Sequence, residues 1–196
     1  MKKFVFYRLI PAFVLIGTIW GGFHLLQPET DAPFASEASF GKTDGLLRDL
    51  GFQHYPFPES AADITLKDLN DKEIQLSEFR GKVVFLNFWA TWCPDCRIEM
   101  PSMEKLHTRF KSKNFAMVTI NLKESPERVH NFFSTYKLTF TGLLDPNGKI
   151  TSKMAIRALP TTLIIDKNGK ILGMALGSRP WTGKKSIALF EHLTNQ

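Results

Sequence analysis

Cys93 and Cys96 are the two cysteines of the 196-residue chain, with Pro94 and Asp95 between them. A bridge across so short a span adds little stability, because the gain grows with the length of the loop it closes. The pair therefore reads as chemistry, a dithiol that can be oxidised and re-reduced by exchange. The reacting form is the thiolate, which is favoured where a cysteine faces the unpaired N–H groups and positive dipole end of a helix. The sequence places such a start at Pro94, just after Val83–Trp89 (VVFLNFW), an apolar run of the kind expected for a strand buried on both faces. Cys93 is then expected at the cap, the more exposed of the two and the attacking nucleophile. Cys96, about one turn further on, is expected to be more buried and to resolve the mixed disulfide. Asp95 suits the helix dipole but, as a negative charge, opposes a thiolate beside it.

A C-x-x-C pair is also half of a zinc site. No second cysteine pair completes one, and the five histidines are scattered. His107 shares a helix face with Cys96 but lies about 16 Å along the axis, so no metal is expected. Cys96, Glu99, Met103, Leu106 and Phe110 recur at spacings of 3, 4, 3 and 4, one stripe of a helix. A carboxyl on the core-facing stripe would be desolvated, with a raised pKa, and could exchange a proton with Cys96. The alternative is a solvated glutamate, turned outward by a kink at Pro101. Leu159-Pro160-Thr161 precedes an apolar strand, where a proline fits a bend or a cis bond, although taken alone it reads as an ordinary loop proline.

The elements that must position these groups alternate. Residues 64–66 and 74–76 flank Asn70-Asp71 as a hairpin. A helix is expected over 94–111, a strand over Phe115–Leu122, and a helix capped by Ser125 with Pro126 at its first position. A short strand at 143–144, a turn at 145–148 and a short helix over 151–156 follow. A hairpin of 162–165 with Ile171–Leu176 and a helix over 182–193 close the domain. This is an α/β fold, a central mixed β-sheet flanked by helices.

Residues 9–26 carry no formal charge at neutral pH and would span roughly 27 Å as a helix, close to a bilayer core of about 30 Å. Lys2, Lys3 and Arg8 precede this run, and Glu29, Asp31 and Glu37 follow it. By the positive-inside bias the segment is a single-pass anchor in the cytoplasmic membrane, with the rest on the extracytoplasmic side. A cleaved signal peptide is the alternative, although its apolar core is normally shorter. Residues 27–61 read as a linker and N-terminal extension, and 62–196 as the folded domain. Beyond the three basic residues of the leader, the net charge of +6 falls to about half, too weak and scattered for nucleic acid.

The run Phe88-Trp89-Ala90-Thr91-Trp92-Cys93-Pro94-Asp95-Cys96, followed by Glu99, Pro101, Leu159-Pro160-Thr161-Thr162 and Asp166-Lys167-Asn168-Gly169-Lys170-Ile171, resembles the thioredoxin superfamily. More narrowly it resembles the TlpA/ResA/CcmG group of extracytoplasmic reductases. The resemblance implies a thioredoxin-like fold with an N-terminal β-hairpin and a central βα insertion near 122–147, and no cofactor. It implies that Pro160 is cis and packs on the disulfide, that the backbone of Leu159 pairs with substrate, and that Glu99 is the group's cavity glutamate. Trp92, Pro94, Asp95, Leu159 and Thr161 are then the substrate-binding residues. The implied partners are disulfide-bearing exported proteins, apocytochrome c among them, and a membrane thiol–disulfide electron donor. Asp95 departs from the group, many of whose members carry proline or another residue there. An oxidant or isomerase would use the same residues. A copper-binding assembly protein would typically need C-x-x-x-C and a distant histidine, and Thr91-Trp92-Cys93 does not supply a peroxidatic motif.

Overall fold

A computed structural model describes residues 37–53, 55 and 64–196; the anchor expected over 9–26 lies outside the described residues. Among the described residues no helix is long and apolar enough to cross a membrane.

Among the described residues, five α-helices flank one mixed sheet of seven strands. In chain order they are α1 Glu37–Asp49, β1 Thr65–Asp68, β2 Glu73–Gln75, β3 Val83–Trp89, α2 Pro94–Phe110, β4 Phe115–Leu122 and α3 Pro126–Tyr136. β5 Thr141–Asp145, α4 Lys149–Lys153, β6 Thr161–Ile165, β7 Ile171–Leu176 and α5 Lys184–Thr194 complete them. The sheet order is β2-β1-β5-β4-β3-β6-β7. β3 sits inside it, parallel to β4 and antiparallel to β6, which explains why its seven residues are all buried.

Alternation along β3 sorts its side chains onto two faces. Phe85 and Trp89 join the layer built from α2 and α5, with Met103, Leu106, Phe110, Trp181 and Phe190. Val84, Leu86 and Phe88 join the opposite layer with Ile120, Leu163 and Ile165. Asn87 has the parity of Phe85 and Trp89, so the one polar residue of the strand points toward α2.

The expected hairpin pairs Thr65 with Gln75 and turns through Asp71 at φ 64°. The insertion is the pair α3–β5, which adds β5 between β4 and β1. Ser125 caps α3 by accepting a hydrogen bond from Arg128 N at 3.3 Å. The short helix α4 starts two residues before the expected 151–156, because Asp145 caps it: its carboxylate accepts from Ile150 N and Thr151 N at 3.3 and 2.8 Å.

The largest difference from the sequence reading lies upstream of residue 62. Residues 37–49 form a helix that lies along α5, with Thr43 Oγ1 and His192 Nε2 3.1 Å apart. Leu47, Phe52 and Tyr55 are buried. Gln53 and Met174 exchange backbone hydrogen bonds of 2.7 and 2.8 Å, covering part of the β7 edge. The segment joins the core through few apolar side chains crowded near its C-terminal end, which left no helical stripe to read.

Candidate active site

β3 delivers the chain to a tight loop, Ala90–Thr91–Trp92, and α2 begins directly after it. Cys93 is the N-cap, with extended backbone at φ −82° and ψ 111°, and Pro94 occupies the first turn, where its missing N–H costs nothing. Cys93 and Cys96 are joined as a disulfide with their Cα atoms 5.3 Å apart. The Cys93 sulfur also accepts from Cys96 N at 3.2 Å, so a first-turn N–H faces the sulfur expected to carry negative charge. Cys93 retains 4% of its surface and Cys96 none. Cys93 is thus the more open of the two, as expected, but at 4% it is far less open than a cap position suggests.

That cleft, about 340 Å³ in volume, is lined by Trp92, Cys93, Pro94 and Asp95 from the loop and helix start. Leu122, Ile156, Arg157 and Leu159 form much of the opposite wall. Trp92 is 61% exposed. The Leu159–Pro160 peptide bond is cis, and Pro160 is buried while Leu159 is half-buried. Thr161, expected at the substrate, instead lies in the sheet opposite Phe88 and Leu176, with its hydroxyl donating to Ala158 O at 2.7 Å. It is fully buried and does not reach the cleft, because β6 starts at this residue and turns its side chain inward.

Glu99 is 2% exposed; α2 runs through Pro101 without turning the side chain outward. Its Oε1 accepts from Asn87 Nδ2 at 2.9 Å. Its Oε2 accepts from Trp181 Nε1 at 2.9 Å and from the Arg179 backbone N–H at 3.4 Å. Burial pushes the carboxyl up to about 7, against the pull of those three hydrogen bonds and of the Arg179 guanidinium. Near neutral pH the group can therefore take or give a proton, one helical turn from Cys96 and on the same stripe. Asn87 Nδ2 also reaches Thr162 Oγ1 at 3.0 Å, tying Glu99 to the strand behind Pro160.

A second buried carboxylate holds the loop before Cys93. Glu124, 8% exposed, accepts from the Thr91 backbone N–H at 2.6 Å and from the Thr91 hydroxyl at 2.5 Å. Asn121 Nδ2 donates to it at 2.8 Å, and Arg128 lies 3.2 Å away.

The sequence reading missed Asn87, Trp181, Arg179 and Glu124. A lone polar residue in VVFLNFW was a usable signal for Asn87. Nothing local marked Trp181, which lies in a loop far along the chain. Among the described residues no group of three or more His, Cys, Asp or Glu side chains is gathered to hold a metal ion. His107 is half-buried with its ring edge-on to Phe140, and burial lowers its pKa.

Residues 58–174 match the model of the AhpC/TSA family. The chain is 39% identical over 118 residues to the thiol-disulfide oxidoreductase ResA of Bacillus subtilis, covering 60% of this chain and 66% of that one. It thus spans just under two thirds of that relative's length. A Chlorobium tepidum structure described as a thiol:disulfide interchange protein DsbE superposes with a TM-score of 0.61 at 31% identity, covering 67% of this chain and 96% of that one. StoA from Bacillus subtilis gives 0.57 at 26% identity, covering 69% and 98%.

Proposed function

The chain belongs to the AhpC/TSA family, and on that premise we propose that it is a thiol–disulfide oxidoreductase that reduces disulfides in exported proteins. One observation carries the reading: a two-cysteine disulfide stands at the start of a helix, and a buried glutamate lies on that helix one turn beyond its second cysteine. In the dithiol form the Cys93 thiolate attacks a substrate disulfide and releases one substrate thiolate. Cys96 then passes its proton to the Glu99 carboxylate and attacks the Cys93–substrate bond. The second substrate thiolate leaves, and the protein pair has given up two electrons to become the Cys93–Cys96 disulfide. A membrane dithiol donor restores the pair. Trp92, Pro94, Asp95 and Leu159 form the wall against which the substrate lies, and cis-Pro160 fixes Leu159 there.

The charge pattern around residues 9–26 supports a membrane anchor with the catalytic domain outside the cytoplasm. Such a compartment is one where disulfides form and a dedicated reductant has work. The resemblance of the sequence to the TlpA/ResA/CcmG group points to the maturation of apocytochrome c as the setting. The test is trapping: with Cys96→Ser, the full chain should accumulate a mixed disulfide with its substrate through Cys93, and with Cys93→Ser it should not. Equal adduct yields from both variants would sink the assignment of nucleophile and resolving thiol.

A further inference from the structure

Cys93 lines the cleft, whereas Cys96 has no exposed surface and takes no part in its wall. A substrate disulfide therefore reaches the pair through this cleft, and the residues beside its cysteine must lie against the cleft wall. The wall is mostly apolar and carries two charged side chains, Asp95 and Arg157. These do not weigh equally. Asp95 stands in the first turn of α2, where free N–H groups and the helix dipole offset its charge. Arg157 stands exposed on the loop between α4 and β6, and among the described residues no carboxylate forms a salt bridge with it.

Two lysines stand close in sequence to lining residues, although neither lines the cleft itself. Lys123 follows the lining residue Leu122, and Lys153 lies two positions beyond the lining residue Thr151. The acids on these elements are engaged elsewhere: Glu124 is held by Thr91, Asn121 and Arg128, and Asp145 caps α4. Glu99 is buried behind the disulfide. A cation with no salt-bridge partner among the described residues thus stands on the wall of the cleft that Cys93 lines.

We infer that Arg157 makes this cleft select disulfides whose cysteine is flanked by acidic residues, in an extended segment of an exported polypeptide. The inference rests on the reductase reading above and adds to it the charge of the substrate. Exposed ion pairs are individually weak, but electrostatic attraction also speeds encounter, so a preference of about three- to ten-fold at low salt is the expected size. It should fade as the screening length falls from about 30 Å at 0.01 M to about 3 Å at 1 M salt.

The probe is a pair of peptides, identical except for glutamate or lysine on both sides of one cysteine, each held in a mixed disulfide with a chromogenic aryl thiol. The reduced full chain gives up two electrons, becoming the Cys93–Cys96 disulfide, and releases the peptide thiol and the aryl thiol. At low salt kcat/KM should favour the glutamate peptide about three- to ten-fold, and Arg157→Glu should reverse the preference. Equal kcat/KM for the two peptides, or a preference that Arg157→Glu leaves in place, overturns the inference while the reductase reading stands. Failure to reduce either peptide overturns that reading and the inference with it.

Discussion

Replacing Glu99 by glutamine should remove a pH-dependent weakness from the fold. The carboxyl is 2% exposed, and desolvation lifts its pKa from 4.5 to about 7 against the hydrogen bonds it accepts. The folded protein therefore holds this proton more tightly than the unfolded chain does. The stability so gained is fully present below the unfolded pKa of about 4.5 and is lost as the pH rises through about 7. At about 1.4 kcal/mol per unit, the interval from 4.5 to about 7 amounts to roughly 3 kcal/mol. Glutamine does not titrate, and its misfit among three donors is a penalty independent of pH, so the penalty drops out of the slope. The assay is urea unfolding of the oxidised full chain, wild type and Glu99→Gln, at steps from about pH 4.5 to about pH 8. The stability of wild type relative to the variant should fall by roughly 3 kcal/mol across that range. Parallel stability curves would refute the reasoning, because they would mean that Glu99 titrates alike in both states.

Trp181→Phe keeps a ring beside Phe85, now 4.6 Å from the indole centroid, but removes the N–H on Glu99 Oε2. A hydrogen bond to a charged group is worth about 1.5–3 kcal/mol, so the midpoint of the Glu99 titration should rise by about one to two units in the carboxyl infrared band. Glu124→Ala strands the Thr91 N–H and the Asn121 amide; it should cost about 2–4 kcal/mol in urea unfolding and speed hydrogen exchange at Thr91. Gly142→Ala puts a methyl 2.7 Å from Phe133 Cζ under α3 and should cost about 1–3 kcal/mol, with the midpoint of thermal unfolding as the readout.

What the sequence disclosed and what it hid follow from how far each signal reaches. Val83–Trp89 announced a buried strand because burial on both faces leaves no polar alternation, and Ser125-Pro126 announced a helix because cap chemistry is local. The positions of the cysteine pair and Glu99 were legible for the same reason, since Cys93 caps the helix that carries Cys96 and Glu99, although the pattern alone left open a Glu99 turned outward at Pro101. Trp181, Arg179 and Asn87 were not, because each meets Glu99 only after the sheet is assembled; Trp181 is 82 residues away in sequence. Thr161 misled because the resemblance supplied a position beside Pro160 without the direction of its side chain, which β6 turns into the sheet. Helix α1 escaped because its burial depends on α5 and the β7 edge, partners that no window around residues 37–53 contains.

The reduction potential of the Cys93–Cys96 pair, measured on the full chain in dithiothreitol or glutathione buffers, tests the proposed role most directly. A reductant of exported disulfides should equilibrate near or below about −220 mV. A value near about −120 mV would mark an oxidant and contradict the account, whatever the geometry of the site.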